Sequence, residues 1–153
     1  MSGALDALRR RYDGHTPGLM GARHSYAVLC PLVEKPDGLY LLFEVRAAGL
    51  RQGGEVCFPG GRVDAGESAV DCALRETEEE LGLRLKELRI QKTWWHGKRD
   101  QLMIGFVGRA EDTGFRLSSE VATARWVPVR EALGQVHPKG SISYALIEQY
   151  LNT

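Results

Sequence analysis

The stretch that decides the fold is FPGGRVDAGESAVDCALRETEEELGL, residues 58–83, in which a glycine-rich turn leads into an acidic segment. Ser68 followed by Asp71 is a capping-box pattern, because a serine side chain can bond the backbone N–H three residues on. Gly82 stands where the end of a helix needs a left-handed residue. The pattern predicts a helix over residues 69–81.

This predicted helix separates its carboxylates from its apolar side chains. Glu76, Glu79 and Glu80 share one arc, where they repel one another by about 1 kcal/mol per close pair even in water. A divalent cation bound between the carboxylates would offset this repulsion, because Mg²⁺ prefers hard oxygen ligands. The cluster is therefore a candidate metal site, and the alternative is a solvated acidic face. A second arc is expected to face the core and comprises Val70, Leu74, Thr77 and Leu81.

The segments around the helix alternate between strand patterns and turn signals. Two hairpins are predicted, one from residues 24–34 and 39–46 and one from residues 88–96 and 101–111. Short strands are expected at 55–58 and 124–129, and helical stretches around 130–135 and 142–151. Hairpins combined with helices indicate an α/β layered domain with a mixed, largely antiparallel sheet.

Composition limits the classes of function. The 153 residues suit a single domain over 1–153, in which residues 1–18 form an N-terminal helix or tail. Lys plus Arg and Asp plus Glu both total 20, so no basic field indicates nucleic acid or an anionic membrane as a partner. Three cysteines without paired spacing, and no apolar run long enough to cross a bilayer, favour the reducing cytoplasm. Either a monomer or a homodimer is compatible with these properties.

The spacing of eight residues in this stretch resembles the Nudix box. The matching residues are Gly61, Glu67, Arg75, Glu76, Glu79, Glu80, Gly82 and the aliphatic Leu83. Thr77 departs from the pattern, since the family usually has an aliphatic residue there. The resemblance implies a Nudix-type α/β/α sandwich and a hydrolase that cleaves a nucleoside diphosphate linked to another group, with Mg²⁺ or Mn²⁺ as cofactor.

The resemblance also implies roles for individual residues. Glu76, Glu79 and Glu80 would bind the metal, and the carbonyl of Gly60 would complete its shell. Arg75 and Glu67 would orient these carboxylates. The general base would be Glu79 itself or a glutamate from a later loop, for which Glu120 is the candidate.

A second motif precedes the box in LLFEVRAAGLRQGGEVCFPGG, residues 41–61. It resembles the additional motif of the coenzyme A pyrophosphatases within the Nudix family, with one residue fewer between Arg51 and Gly54. This resemblance implies cleavage of coenzyme A or acyl-CoA to adenosine 3′,5′-bisphosphate and (acyl) 4′-phosphopantetheine. The matching residues are Leu41, Leu42, Arg46, Ala47, Arg51, Gly54 and Phe58 to Gly61.

Several residues are candidates for binding this small-molecule nucleotide substrate. Arginine forks bind phosphates bidentately, and a tryptophan can stack on a base. The alternatives are solvent-exposed arginines and a core tryptophan. Other substrates of the same reaction are ADP-ribose, a dinucleotide or an oxidised nucleoside triphosphate, and a non-catalytic nucleotide-binding regulatory domain is the alternative outside enzymes. The substrate-binding candidates are Arg46, Arg51, Phe58, Gly61, Arg62 and Trp95.

Overall fold

The computed structural model describes residues 2–14, 23–136 and 141–151. Within these ranges the N-terminal helix is confirmed as α1, and residues 15–18 of the predicted N-terminal segment lie outside the described residues. No helix of the described ranges is long and apolar enough to cross a membrane. The helices are α1 (Ser2–Tyr12), α2 (Ala69–Leu81), α3 (Val129–Ala132) and α4 (Ile142–Leu151).

The strands form one mixed sheet whose order is β3-β2-β1-β6-β5, with β4 added to β1 and β7 added to β2. All the pairings are antiparallel except that of β1 with β6, so the predicted mixed, largely antiparallel sheet is confirmed. The strands are β1 (His24–Lys35), β2 (Gly38–Arg46), β3 (Val56–Cys57), β4 (Gly60–Arg62), β5 (Leu85–His96), β6 (Gln101–Ala110) and β7 (Val121–Pro128).

Helices cover both faces of the sheet. Successive side chains of a strand point to opposite faces, so β1 contributes to two separate apolar clusters. Ala27 and Leu29 pack with Cys72 and Ala73 of α2. Val28 and Cys30 belong to the other cluster, which contains Leu146 and Ile147 of α4. This arrangement is the predicted α/β/α sandwich, with β1 at its centre.

The structure corrects the predicted core face of α2. Val70 is 39% exposed, whereas Cys72 and Ala73 are fully buried. Thr77 and Leu81 are buried as expected. The buried face of α2 is therefore rotated towards the carboxylates. The small side chains of Cys72 and Ala73 pack against β1, and part of the acidic face of α2 points at the sheet.

Strand boundaries differ from the sequence pattern mainly around the glycines. The single strand predicted over 55–58 is the two-residue β3, and β4 follows as a separate strand that the pattern did not indicate. Two of the three residues of β4 are glycines, which carry no side-chain alternation from which a strand can be recognised. Both hairpins are confirmed by the β1–β2 and β5–β6 pairings.

Candidate active site

The acidic helix is held at both ends as its sequence predicts. The Ser68 hydroxyl accepts the backbone N–H of Asp71 at 3.1 Å, which satisfies one of the free donors of the first turn. Gly82 adopts φ 64° and donates its N–H to the carbonyl of Glu78 at 2.8 Å. These caps fix where α2 begins and ends, and therefore which way its carboxylates point.

The glycine turn brings β4 into very close contact with its neighbours. A Cβ atom on Gly60 would lie 2.3 Å from the carbonyl oxygen of Ala27, and one on Gly61 would lie 2.5 Å from the carboxyl of Glu76. Only glycine fits at either position without displacing an atom. The backbone of β4 thus forms the floor against which Glu76 rests.

The guanidinium group of Arg75 forms hydrogen bonds with three carboxylates on the outer side of α2. Its Nε and Nη2 donate to the two carboxylate oxygens of Glu67 at 2.7 and 3.1 Å, a bidentate pair. Its Nη1 donates to Glu76 at 2.9 Å and to Glu79 at 3.2 Å. The hydrogen bonds from Arg75, together with the backbone N–H of Asp64, lower the pKa of Glu67 to about 2. Arg75 therefore links Glu67 with Glu76 and Glu79 in one hydrogen-bonded group.

Glu80 turns the opposite way, into the protein. It is 4% exposed, and its Oε2 accepts the backbone N–H of Gly60 at 3.2 Å. Burial, followed by the nearby charge of Glu44, raises the pKa of Glu80. Burial also raises the pKa of Glu76. A carboxyl whose charge is disfavoured by burial is one that a cation stabilises.

Glu44 is a buried carboxyl that the sequence analysis did not single out. This β2 residue is 1% exposed, and burial raises its pKa to about 7. Its Oε1 accepts the thiol of Cys57 at 3.7 Å, while its Oε2 is buried without a hydrogen-bond partner among the described residues. The sequence feature that could have indicated Glu44 is a single carboxylate within the otherwise apolar run LLFEV.

A cleft of about 510 Å³ opens above these carboxylates. Glu76, Glu80 and Glu120 contribute to its wall, whereas Glu79, whose side chain is 61% exposed, does not. Four of the predicted substrate-binding residues line the same cleft, namely Arg46, Arg51, Phe58 and Gly61, and so does Gly60. The cleft therefore combines an acidic region with guanidinium groups, those of Arg46 and Arg51 among them.

Two predicted substrate-binding residues lie outside the cleft wall. Arg62 points to His24, with 2.8 Å between its Nη2 and the imidazole Nδ1. Trp95 is 61% exposed, and its ring rests on Gly97. Strand alternation places the neighbouring Trp94 in the wall instead, and a period of two along β5 would have indicated that only one tryptophan can face the cleft. The other cleft residues that the sequence analysis missed include His96, Arg99 and Met103.

The donor set fits a divalent cation, although the side chains do not enclose one in advance. Within residues 2–14, 23–136 and 141–151, no three acidic, histidine or cysteine side chains converge as a closed metal cage. Arg75 instead bonds Glu76 and Glu79 on the outer side. The buried carboxyl of Glu80 and the Oε2 of Glu44 are hard oxygen donors that form no ion pair among the described residues, although the charge of Arg46 acts on both from a distance.

A mixed sheet between helices, with the carboxylates of a capped helix packed against a glycine turn, places the chain in the α/β class and agrees with the sequence motif. The family model of the NUDIX domain matches residues 23–150. This chain belongs to the Nudix family.

Comparison with curated proteins finds coenzyme A diphosphatases and NAD-capped RNA hydrolases among the relatives. The peroxisomal coenzyme A diphosphatase NUDT7 of Mus musculus is 42% identical over 81 residues, which cover 46% of this chain and 34% of that protein. The NAD-capped RNA hydrolase NudC of Mannheimia succiniciproducens is 31% identical over 133 residues, which cover 83% of this chain and 50% of NudC. The matches thus span between a third and a half of the length of these relatives.

Solved structures share the fold. The NUDIX domain of Shewanella oneidensis NrtR, solved in complex with ADP ribose, superposes with a TM-score of 0.70. The alignment covers 94% of this chain and 98% of that one, at 14% sequence identity. At this identity the likeness establishes the fold and leaves substrate choice to the residues of the cleft.

Proposed function

We propose that this chain hydrolyses the diphosphate linkage of coenzyme A or acyl-CoA, releasing adenosine 3′,5′-bisphosphate and (acyl) 4′-phosphopantetheine. The observation that carries the proposal is the presence of Arg46 and Arg51 in the same cleft as Glu76 and Glu80. Coenzyme A has a diphosphate and a 3′-phosphate, so its recognition needs fixed cations beside the reacting group. The likeness to NUDT7, named a coenzyme A diphosphatase, supports the same substrate.

The arginines are arranged to bind anions. The Nε of Arg46 donates to the carbonyl of Arg51 at 3.2 Å, which ties the loop carrying Arg51 to the end of β2. Arg46 lines the cleft, where its guanidinium group would meet phosphate oxygens of the substrate. Gln52 and Gly54 both adopt positive φ in this loop, which therefore turns tightly after Arg51.

The carboxylates would hold Mg²⁺ or Mn²⁺ through Glu76, Glu79, Glu80 and the carbonyl of Gly60. When bound, such a cation neutralises diphosphate charge and increases the acidity of a water molecule. Arg75 keeps Glu76 and Glu79 oriented through the contacts described above, and Glu67 holds Arg75 in place.

The choice of general base falls between Glu120 and Glu79. Glu120 lines the cleft, and its position is fixed by the bond from the backbone N–H of Ala47 to its carbonyl at 2.9 Å. Glu79 does not line the cleft and accepts a hydrogen bond from Arg75. This placement favours Glu120 as the group that takes the proton from the attacking water, with Glu79 as the alternative.

The aromatic contact to the substrate is assigned to Trp94 in place of Trp95. Trp94 and Phe58 both line the cleft, so a base or the pantetheine chain can contact apolar surface there. Neither Arg62 nor Trp95 reaches the cleft wall, and the proposal gives them no contact with substrate.

The second candidate function is hydrolysis of ADP-ribose, a dinucleotide or an oxidised nucleoside triphosphate. The NudC match, which covers most of this chain, favours a dinucleotide-type substrate, and the NrtR domain was solved with ADP ribose. A non-catalytic nucleotide-binding domain is less consistent with the retained Glu76, Glu79 and Glu80, because binding alone does not need a strained carboxylate cluster.

The remaining expectations stay part of the proposal. We take residues 1–153 as one domain that acts in the cytoplasm as a monomer or homodimer, with a small-molecule nucleotide substrate and no nucleic-acid or membrane partner. The relative NUDT7 is named peroxisomal, so the compartment is to be determined for this chain itself.

The test is product analysis by mass spectrometry. Coenzyme A, acetyl-CoA, ADP-ribose, NADH, diadenosine polyphosphates and an oxidised dGTP are each incubated with and without Mg²⁺ or Mn²⁺. Metal-dependent adenosine 3′,5′-bisphosphate from coenzyme A is the expected result. Release of AMP or another nucleoside monophosphate from the other compounds alone would establish the second function. If none of the compounds were hydrolysed, both functions would be contradicted.

Variants of the cleft arginines sharpen the test. Arg51→Ala is expected to lower kcat/KM for coenzyme A by about tenfold or more, since a charged hydrogen bond is lost. Arg84→Ala is the matched control, because Arg84 is exposed and pairs with Glu78 outside the cleft. Equal rates for the two variants would remove Arg51 from the substrate site.

A further inference from the structure

Glu44 occupies a position in the sheet that normally belongs to an apolar residue. It lies in β2 between paired strands, opposite Cys57 of β3 and Ala124 of β7. Its neighbours Leu42 and Phe43 are fully buried core residues, and Glu44 itself is 1% exposed. A carboxyl is unfavourable at such a place unless a partner compensates for the lost water.

The described protein groups compensate for only part of this cost. Oε1 receives the thiol of Cys57 at 3.7 Å, a weak donor, and Oε2 has no partner among the described residues. In the part of the chain that the structure describes, no lysine or arginine forms an ion pair with Glu44 or with Glu80. Glu80 accepts one backbone N–H, from Gly60.

The direction of Glu44 follows from the strand that carries it. Alternation along β2 places Glu44 on the same face as Leu42, and Leu42 packs against Leu81 of α2. Glu44 is therefore on the α2 side of the sheet, and its partner Cys57 closely precedes Gly60, whose backbone N–H Glu80 accepts. Cys57 and Glu80 line the cleft, so Glu44 lies directly behind its floor.

We propose that Glu44 and Glu80 together hold the divalent cation, so that Glu44 is a metal ligand that the Nudix box does not contain. Two buried carboxylates side by side repel each other, and a divalent cation between them removes both the repulsion and the unpaired oxygen. The inference rests on the proposed function only in requiring that a cation is bound at Glu80.

The test measures Mn²⁺ binding by electron paramagnetic resonance, with the whole chain and without any substrate. Glu44→Gln keeps the shape of the side chain and removes its charge. We expect its Mn²⁺ affinity to be about tenfold or more below that of the unmodified chain, as for other groups that tune a metal site. Glu34→Gln, an exposed glutamate of the neighbouring strand β1, is the control and should bind as the unmodified chain does.

A second readout is the rise in melting temperature caused by Mn²⁺. This rise should be smaller for Glu44→Gln than for Glu34→Gln, because a weaker ligand stabilises the folded state less. If Glu44→Gln does not fold at the assay temperature, Glu44→Met, which keeps the volume, is judged by the same two readouts.

The outcomes separate this inference from the proposed function. Unchanged Mn²⁺ affinity in Glu44→Gln, with weakened binding in Glu80→Gln, would overturn the role of Glu44 and leave the metal site at Glu80 in place. Unchanged affinity in both variants would overturn the metal site itself. A selective loss in Glu44→Gln and Glu80→Gln, with Glu34→Gln unaffected, is the result that supports the inference.

Discussion

Glu79 and Glu80 are adjacent in the chain and lie in opposite surroundings. Successive helical residues differ in direction by about 100°, so one carboxylate can face solvent while the next faces the core. Glu79 is exposed and bonded to Arg75, whereas Glu80 is buried and accepts the N–H of Gly60. The two glutamates therefore have different electrostatic environments. Neutral substitutions at the two positions should lower the activity for different reasons.

Neutral variants of these glutamates should lower the rate by different routes. We expect Glu79→Gln and Glu80→Gln each to reduce kcat/KM about 10²-fold or more, the scale of a lost acid–base or metal-binding group. Glu80→Gln should also raise the Mn²⁺ concentration needed for half-maximal rate. Steady-state kinetics over a metal titration measures both effects.

Glu78→Gln is the control for this pair. Glu78 lies on the same turn of α2, its side chain is exposed and its partner is Arg84. It should retain the rate of the unmodified enzyme. A loss of the same size in all three variants would indicate damage to the helix, and full activity in Glu80→Gln would contradict its role as a ligand.

The Glu67–Arg75 pair should make stability depend on acid pH. Because the folded pKa of Glu67 is about 2 against an ordinary 4.5, the folded state binds this proton less readily than the unfolded state. The stabilisation is therefore complete above about pH 4.5 and is lost as the pH falls through 2. Urea unfolding of the unmodified chain and Glu67→Gln should differ most at neutral pH, and the gap should close in acid. A difference in the free energy of unfolding that stayed constant from pH 7 to 2 would contradict a stabilising role of the Glu67–Arg75 pair.

At the scale of elements, β4 serves both the sheet and the active site. Gly60 is pressed against the backbone of β1, while Gly61 is pressed against the carboxyl of Glu76. A methyl group at the first position can be accommodated only if strands move apart, whereas at the second it displaces one side chain. Stability and activity should therefore respond separately to these neighbouring positions.

The prediction for β4 uses three alanine variants. Gly60→Ala should lower the free energy of unfolding by about 1–3 kcal/mol, as overpacking of a close contact does. Gly61→Ala should cost less stability and should weaken Mn²⁺ binding by moving Glu76. Gly49→Ala is the control, since its added methyl group meets no atom within 4 Å. Urea unfolding and Mn²⁺ titration check the pattern, and an active, normally stable Gly60→Ala would contradict it.

The elements differ in how far their sequence could reveal them. The caps of α2 involve Ser68 and Gly82 with residues three or four positions away, so local pattern was sufficient to predict them. The end of β3 and the whole of β4 depend on pairing with distant strands, and glycines give no pattern for that pairing. The buried face of α2 was also mispredicted at Val70, because the sheet selects small residues that hydrophobicity alone ranks lower.

At the scale of the molecule, the site is assembled from segments far apart in the chain. The motif in residues 58–83 contains Glu76, Glu79 and Glu80, and so the family resemblance reached these candidates directly, whereas Glu44 in β2 lies outside it. The cleft wall also takes Trp94 and Arg99 from the β5–β6 hairpin and Ser141 from the start of α4. No local spacing links these residues to the motif, because only the packing of the sandwich brings them together.

The central strand also has a consequence for synthesis of the protein. β1 can form its hairpin with β2 as soon as both leave the ribosome, but its parallel neighbour β6 is complete only 75 residues later, at Ala110 rather than Lys35. At a typical translation speed this delay is roughly 4–15 s. During that interval one edge of β1, apolar on both faces, is without its native partner. The nascent chain, rather than the finished protein, is therefore the state in which this fold is most exposed to aggregation and to capture by chaperones.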